Sequence, residues 1–115
     1  MRRGEVWWAR LAPRSGSEQR GRRPVVVLSH DAFNEVETWR SVIVVPVTTS
    51  SRQGLRGPTV AGLSAEATGL PRESFALGHQ VTTLDRRKLV ERSGRLDEIS
   101  LRRVEQAVLA ACGIE

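Results

Sequence analysis

Apolar residues fall in short runs along most of the chain, and a helical period takes over only near its end. The stretch Gly4 to Leu11 alternates in part and is aromatic, which predicts a strand. Pro24 to Leu28 and Ser41 to Val47 are mostly β-branched runs and predict two buried strands. Between them Asp31 to Val36 predicts a helical turn that begins near His30 or Asp31. Residues 12 to 23, rich in Pro, Gly, Ser and Arg, predict an exposed loop. Gly54, Gly57 and Pro58 interrupt the chain before a weaker strand at Thr59 to Gly62. Glu73 to Gly78 and Gln80 to Thr83 predict two strands, or one strand bent near Gly78.

The last quarter changes period. Leu101, Val104, Val108 and Ala111 recur at helical spacing, with Asp97 as N-cap, Leu96 and Leu101 as a hydrophobic staple, and Gly113 as the stop. A shorter helix is expected over Asp85 to Arg92, capped by Asp85. Together these elements predict a mainly β fold with helices, a small barrel or half-barrel closed off by a C-terminal helix. With 115 residues the chain is expected to form one domain, residues 1–115.

Charge adds a location. Eighteen basic residues, all but one arginine, face thirteen acids for a net charge of +5. Ten arginines and five acids fall in residues 1–60, whereas the remainder is balanced, so the excess belongs to the first half. Arg10, Arg14, Arg20, Arg22 and Arg23 are opposed there only by Glu18, a pattern that attracts polyanions or serves merely as soluble surface. The longest apolar run is too short to cross a bilayer, and the N-terminus lacks the apolar core of a signal peptide, so a cytoplasmic protein is expected. A single cysteine, Cys112, and two separated histidines, His30 and His79, predict neither a disulfide nor a metal site, and no cofactor is expected. Cys112 is expected to be a small packed side chain.

Two polar clusters adjoin predicted strand ends. The first runs from Ser15 to Pro24 and feeds Arg23 into a buried strand on a backbone fixed by proline. The second, Val47 to Arg52, is a hydroxyl-rich strand exit. Were these strands neighbours, Arg23 and Thr48 would converge on one phosphate and stabilise a phosphorane; taken singly, Arg23 caps a carbonyl edge and Thr48 ends a strand.

The segment Gly16 to Ser29, then Asn34, then Val44-Val-Pro-Val-Thr-Thr49 resembles the MazF/PemK/Kid family of toxin endoribonucleases. The likeness runs from Gly4-Glu5-Val6-Trp7 through His79-Gln80-Val81-Thr82-Thr83-Leu84 to the terminal helix. It implies an SH3-like, CcdB-like barrel, a homodimer, and metal-independent cleavage of single-stranded RNA to 2′,3′-cyclic phosphate and 5′-hydroxyl ends. It also implies a cognate MazE-like antitoxin whose acidic segment covers the RNA groove. By position Arg23 matches the family's catalytic arginine, Thr48 its catalytic threonine, and Glu18 a loop glutamate. The implied RNA surface comprises Ser17, Gln19, Arg20 and Arg22 in one loop, Thr49, Ser50 and Arg52 in another, and Gln80.

Attack by a 2′-OH requires a base, an acid and a stabiliser of phosphorane charge. A guanidinium is a poor base, so Arg23 is expected to act as stabiliser and acid, with Thr48 bonding a phosphate oxygen. Glu18 is a candidate base or else an ionic partner of Arg20 or Arg22. His79 stands where some members carry a catalytic aspartate, and either takes over its proton transfer or has no duty. Trp7 and Trp8 must face opposite sides of their strand, one in the core and the other at an interface or toward RNA. Stacking of a base on Trp8 or Trp39 is set against plain packing. Two rivals remain: a gyrase poison like CcdB, whose C-terminal Trp-Gly-Ile is replaced here by Cys112-Gly113-Ile114, and a non-catalytic RNA-binding barrel.

Overall fold

A computed structural model describes residues 1–11 and 21–115. Seven antiparallel strands form its sheet: β1 (Glu5–Leu11), β2 (Gly21–Val27), β3 (Ser41–Thr48), β4 (Val60–Leu63), β5 (Ser74–Leu77), β6 (Thr82–Asp85) and β7 (Leu89–Arg95). Helices α1 (Asp31–Asn34), α2 (Ala65–Thr68) and α3 (Glu98–Cys112) and three 3₁₀ turns connect or cover them. The order is β4-β5-β3-β2-β1-β7, with β6 also paired to β3. The sheet is antiparallel throughout and does not close into a barrel; β4, β6 and β7 each pair with a single neighbour.

Valine explains the centre of this arrangement. Successive side chains of β2 and β3 point to opposite faces, and both faces are apolar. One face carries Val6, Val26, Val45 and Val47 into a core with Leu96, Val104 and Ala107. The other carries Ala9, Val25, Val42 and Val44, against which Met1, Trp7, Leu84 and Leu89 pack. Trp7 and Trp8 therefore both pack, one against each core.

β3 is shared on one edge by two strands. Its first half pairs β6 from Ser41↔Asp85 to Val44↔Thr82, and its end pairs β5 through Val47↔Ala76 and Thr48↔Phe75. The chain crosses between these partners in a 3₁₀ turn, Gly78–Gln80, so His79 and Gln80 lie in a turn and not in the expected strand. Gly78 is buried against α3, where a Cβ would stand 2.5 Å from the carbonyl carbon of Ala107. Only glycine allows this approach.

Two further expectations are corrected. Arg22 and Arg23 belong to β2 and not to a loop, because β1 supplies partners as far as Leu11↔Gly21. The helix expected over residues 85–92 is a 3₁₀ turn, Arg86–Lys88, followed by β7. Asp85 does cap it, accepting from the Arg87 N–H at 2.9 Å. The next residues find a stronger alternative in the open edge of β1, with Trp7↔Arg92 and Trp8↔Glu91 in register. Close approach of Gly94 to the Thr68 carbonyl and a 3.0 Å hydrogen bond from Ser93 Oγ to the same oxygen fasten β7 to α2.

α3 follows its sequence signals. Asp97 accepts from the Ser100 N–H at 2.7 Å, and Gly113 ends the helix at φ 73°. Val104 and Ala107 are its buried residues, while Ala111, expected on the apolar face, and Cys112, expected to pack, are exposed. Among the described residues no helix is long and apolar enough to cross a membrane.

Gly78→Ala is expected to lower the thermal midpoint by several degrees, since neither Ala107 nor the turn can retreat without opening the core. A circular dichroism melt checks this, and an unchanged midpoint would contradict the close approach.

Candidate active site

The β2–β3 register sets the site. Val25 lies opposite Pro46 and Val26 opposite Val45, so the same register carried two residues beyond Val25 sets Arg23 opposite Thr48. Both are half-buried at strand ends. Arg23, Thr48 and Thr49 line one cavity of about 280 Å³ together with Trp8, Pro24, Val47, Leu70 and Pro71. Arg23 also lines a second cavity of about 480 Å³, whose walls include Val25, Val44, Pro46, Gln80, Thr82 and Leu84. One guanidinium thus stands between two adjoining hollows, one with hydroxyl donors and one with an apolar floor and an amide.

The Thr48 hydroxyl oxygen is held by one hydrogen bond. It accepts from the Ser50 N–H at 3.2 Å, which leaves its own hydrogen for another acceptor. That bond also gives Ser50 a part in the site through its backbone.

The cavities hold no base of their own. Among the described residues, neither a carboxylate nor a histidine lines either cavity, and Arg23 is their one charged side chain. None of the ion pairs among the described residues involves Arg23. Asp85, just beyond Leu84, is engaged elsewhere: bonds from the Arg87 side chain at 3.0 and 3.1 Å and from the Arg87 amide lower its carboxyl to about 2. A carboxylate so stabilised is a weak proton acceptor. The site is suited to binding phosphate and stabilising negative charge.

The remaining candidates divide clearly. Gln80 joins Arg23, whereas His79, exposed on the same turn, lines neither cavity. Arg52 begins the 3₁₀ turn Gln53–Thr59 and is exposed. Arg22 points to the opposite face of β2 from Arg23, where its Nη2 donates to Glu91 Oε1 at 2.6 Å and its guanidinium lies 5.6 Å from the Trp8 ring centroid. Glu18, Ser17, Gln19 and Arg20 lie outside the described residues. Trp39 packs on Phe33, with ring centroids 5.0 Å apart, and lines neither cavity.

Sequence reasoning missed the walls: Leu70 and Pro71, which precede β5, and Thr82 and Leu84, which alternate along β6. The alternation of Thr82 and Leu84 is a usable signal; Leu70-Pro71 carries none without the fold.

Known proteins resemble the chain along nearly its whole length. Residues 2–111 match the family model described as PemK-like, MazF-like toxin of type II toxin–antitoxin system. The chain is 32% identical over 108 residues to Endoribonuclease EndoA of Bacillus subtilis, spanning 94% of this chain and 90% of that protein. It is 32% identical over 114 residues to Endoribonuclease MazF of Staphylococcus saprophyticus, spanning 99% and 92%. Among solved structures, MazE-MazF from Deinococcus radiodurans superposes with a TM-score of 0.77 at 27% identity, covering 100% of this chain and 97% of that one.

Asp85 yields a pH expectation. Its folded pKa lies below the unfolded value of about 3.9, so its stabilising contribution is complete above that value and is lost as the pH falls toward about 2. Thermal midpoints measured from pH 5 down to pH 2 should fall less steeply in Asp85→Asn than in the unaltered protein. Parallel slopes would remove Asp85 from the acid response.

Proposed function

Because the chain belongs to the PemK-like, MazF-like toxins of type II toxin–antitoxin systems, and relatives at 32% identity are named endoribonucleases, we propose that it cuts single-stranded RNA without a metal. The substrate's own 2′-OH attacks the adjoining phosphate, the 5′-oxygen leaves, and the products carry 2′,3′-cyclic phosphate and 5′-hydroxyl ends. Deoxyribose lacks the nucleophile, so DNA is bound but not cut.

The observation that carries this reading is the common cavity of Arg23 and Thr48. A phosphodiester seated there receives guanidinium N–H donors and the Thr48 hydroxyl on its non-bridging oxygens. Both interactions strengthen as charge accumulates on the phosphorane. Arg23, unneutralised by any carboxylate among the described residues, also delivers the proton to the departing 5′-oxygen. Glu18 is the candidate to accept the 2′-OH proton, since the cavities offer no other base among their described walls. Thr49, Ser50 and Gln80 border the RNA path, with the Gln80 amide able to donate and accept at one base edge.

Residues 1–115 act as one unit, in a cytoplasmic homodimer whose growth-arresting activity is held in check by a cognate antitoxin. An acidic antitoxin segment fits the same surface as RNA, because carboxylates compete with phosphates for Arg23. The solved MazE-MazF complex of the Deinococcus relative supports a partner of this kind.

Incubating the protein with a long RNA in EDTA tests the proposal. Discrete fragments with 5′-hydroxyl and cyclic-phosphate ends are expected, and Arg23→Ala should slow their formation by about 10²- to 10³-fold or more while leaving the fold intact. RNA retardation without cleavage would leave a binding protein, and full-rate cleavage by Arg23→Ala would remove that residue from the chemistry.

A further inference from the structure

A groove of about 560 Å³ lies between β4 and α3, and it shares no lining residue with the two cavities at Arg23. One bank is a strand edge. β4 pairs with β5 alone, so its far side has no strand partner among the described residues. The Val60 N–H bonds the Gly57 carbonyl, off the sheet, and by the alternation of an antiparallel strand the N–H and C=O of Gly62 face that same open edge. Gly62 is exposed and carries no side chain to block an approach. The opposite bank is α3, which presents Ile99, 70% exposed, together with Arg102 and Arg103. None of the described ion pairs includes either arginine. Glu98, one turn before Arg102, offsets one of the two charges, and the groove keeps a net positive one.

We propose that this groove takes an extended acidic segment of a partner protein, added beside β4 as a further strand. The inference goes beyond the cleavage reading and does not depend on it. A strand edge supplies backbone hydrogen bonds to any sequence, and the walls beside it supply the selection. Side chains alternate along an extended segment, so its apolar residues meet the wall of Pro58, Val60 and Ile99, and the carboxylates between them pair with the guanidinium forks of Arg102 and Arg103. A nucleic acid, the other polyanion, would leave the strand edge unpaired. Because no wall is shared with the cavities at Arg23, the segment binds whether or not RNA occupies them.

The test uses a fluorescein-labelled peptide of four Val-Glu repeats, capped at both ends, and reads its fluorescence anisotropy. The unaltered protein should bind it, and should bind a version with lysine for glutamate at least about tenfold more weakly, the effect of one lost charge-assisted hydrogen bond. Two further versions are N-methylated, one at the valines and one at the glutamates. Only one of them should lose affinity by a similar factor, because an added strand turns every second N–H toward β4. Arg102→Gln/Arg103→Gln should lose the preference for glutamate over lysine, whereas Arg23→Ala should keep it. Hydrogen exchange at the Gly62 amide should slow when the peptide is added. No binding at millimolar peptide would overturn the proposal, as would equal effects of the two methylated versions, which mean attraction by charge alone. Loss of the peptide in Arg23→Ala but not in Arg102→Gln/Arg103→Gln would overturn it and assign the acidic segment to the RNA cavities. Displacement of the peptide from Arg23→Ala by single-stranded RNA would also overturn it and give the groove to nucleic acid.

Discussion

The register between β2 and β3 is the constraint on which the site depends. With Val25 opposite Pro46, Arg23 and Thr48 reach the same end of the sheet on the same side. A slip by one residue would turn Arg23 to the other face and separate the pair. Such a slip is costly because both faces of these strands are buried. Val26 and Val45 serve one core, while Val25 and Val44 serve the other. The two cores fix the positions of two polar side chains that contribute nothing to either.

The same alternation gives neighbouring arginines different work. Arg22 turns toward Trp8 and Glu91, where its charge is matched and its guanidinium lies over the indole. Arg23 turns toward the hollows lined by hydroxyls and Gln80, where none of the described ion pairs includes it. A basic cluster in the sequence therefore contains an ion-paired arginine and, on the opposite face, one that none of the described ion pairs includes, separated only by the period of a strand.

Legibility followed the range of the forces involved. The valine runs of β2 and β3 and the caps of α3, Asp97 and Gly113, act through neighbouring residues and could be read from the chain. Pro24 after Arg23, and the threonines after Pro46, marked the strand ends that form the site. β7 was hidden because its strand state depends on the free edge of β1, a partner some eighty residues away. His79 and Gln80 were misplaced for a related reason: the break at Gly78 comes from contact with α3 and from the division of β3 between two partners. Cys112 is exposed at the end of α3, because that helix buries only Val104 and Ala107. Leu70 and Pro71 entered the site only through the fold.

In the proposed reaction a guanidinium and a hydroxyl act together on one phosphorus centre. A double-mutant cycle on single-turnover cleavage measures this most directly, using Arg23→Ala, Thr48→Val and the combined variant. Shared action predicts that the combined variant is scarcely slower than the slower single variant. Losses that simply multiply would mean that the two residues stabilise the reaction independently, and the shared-phosphate account would be wrong.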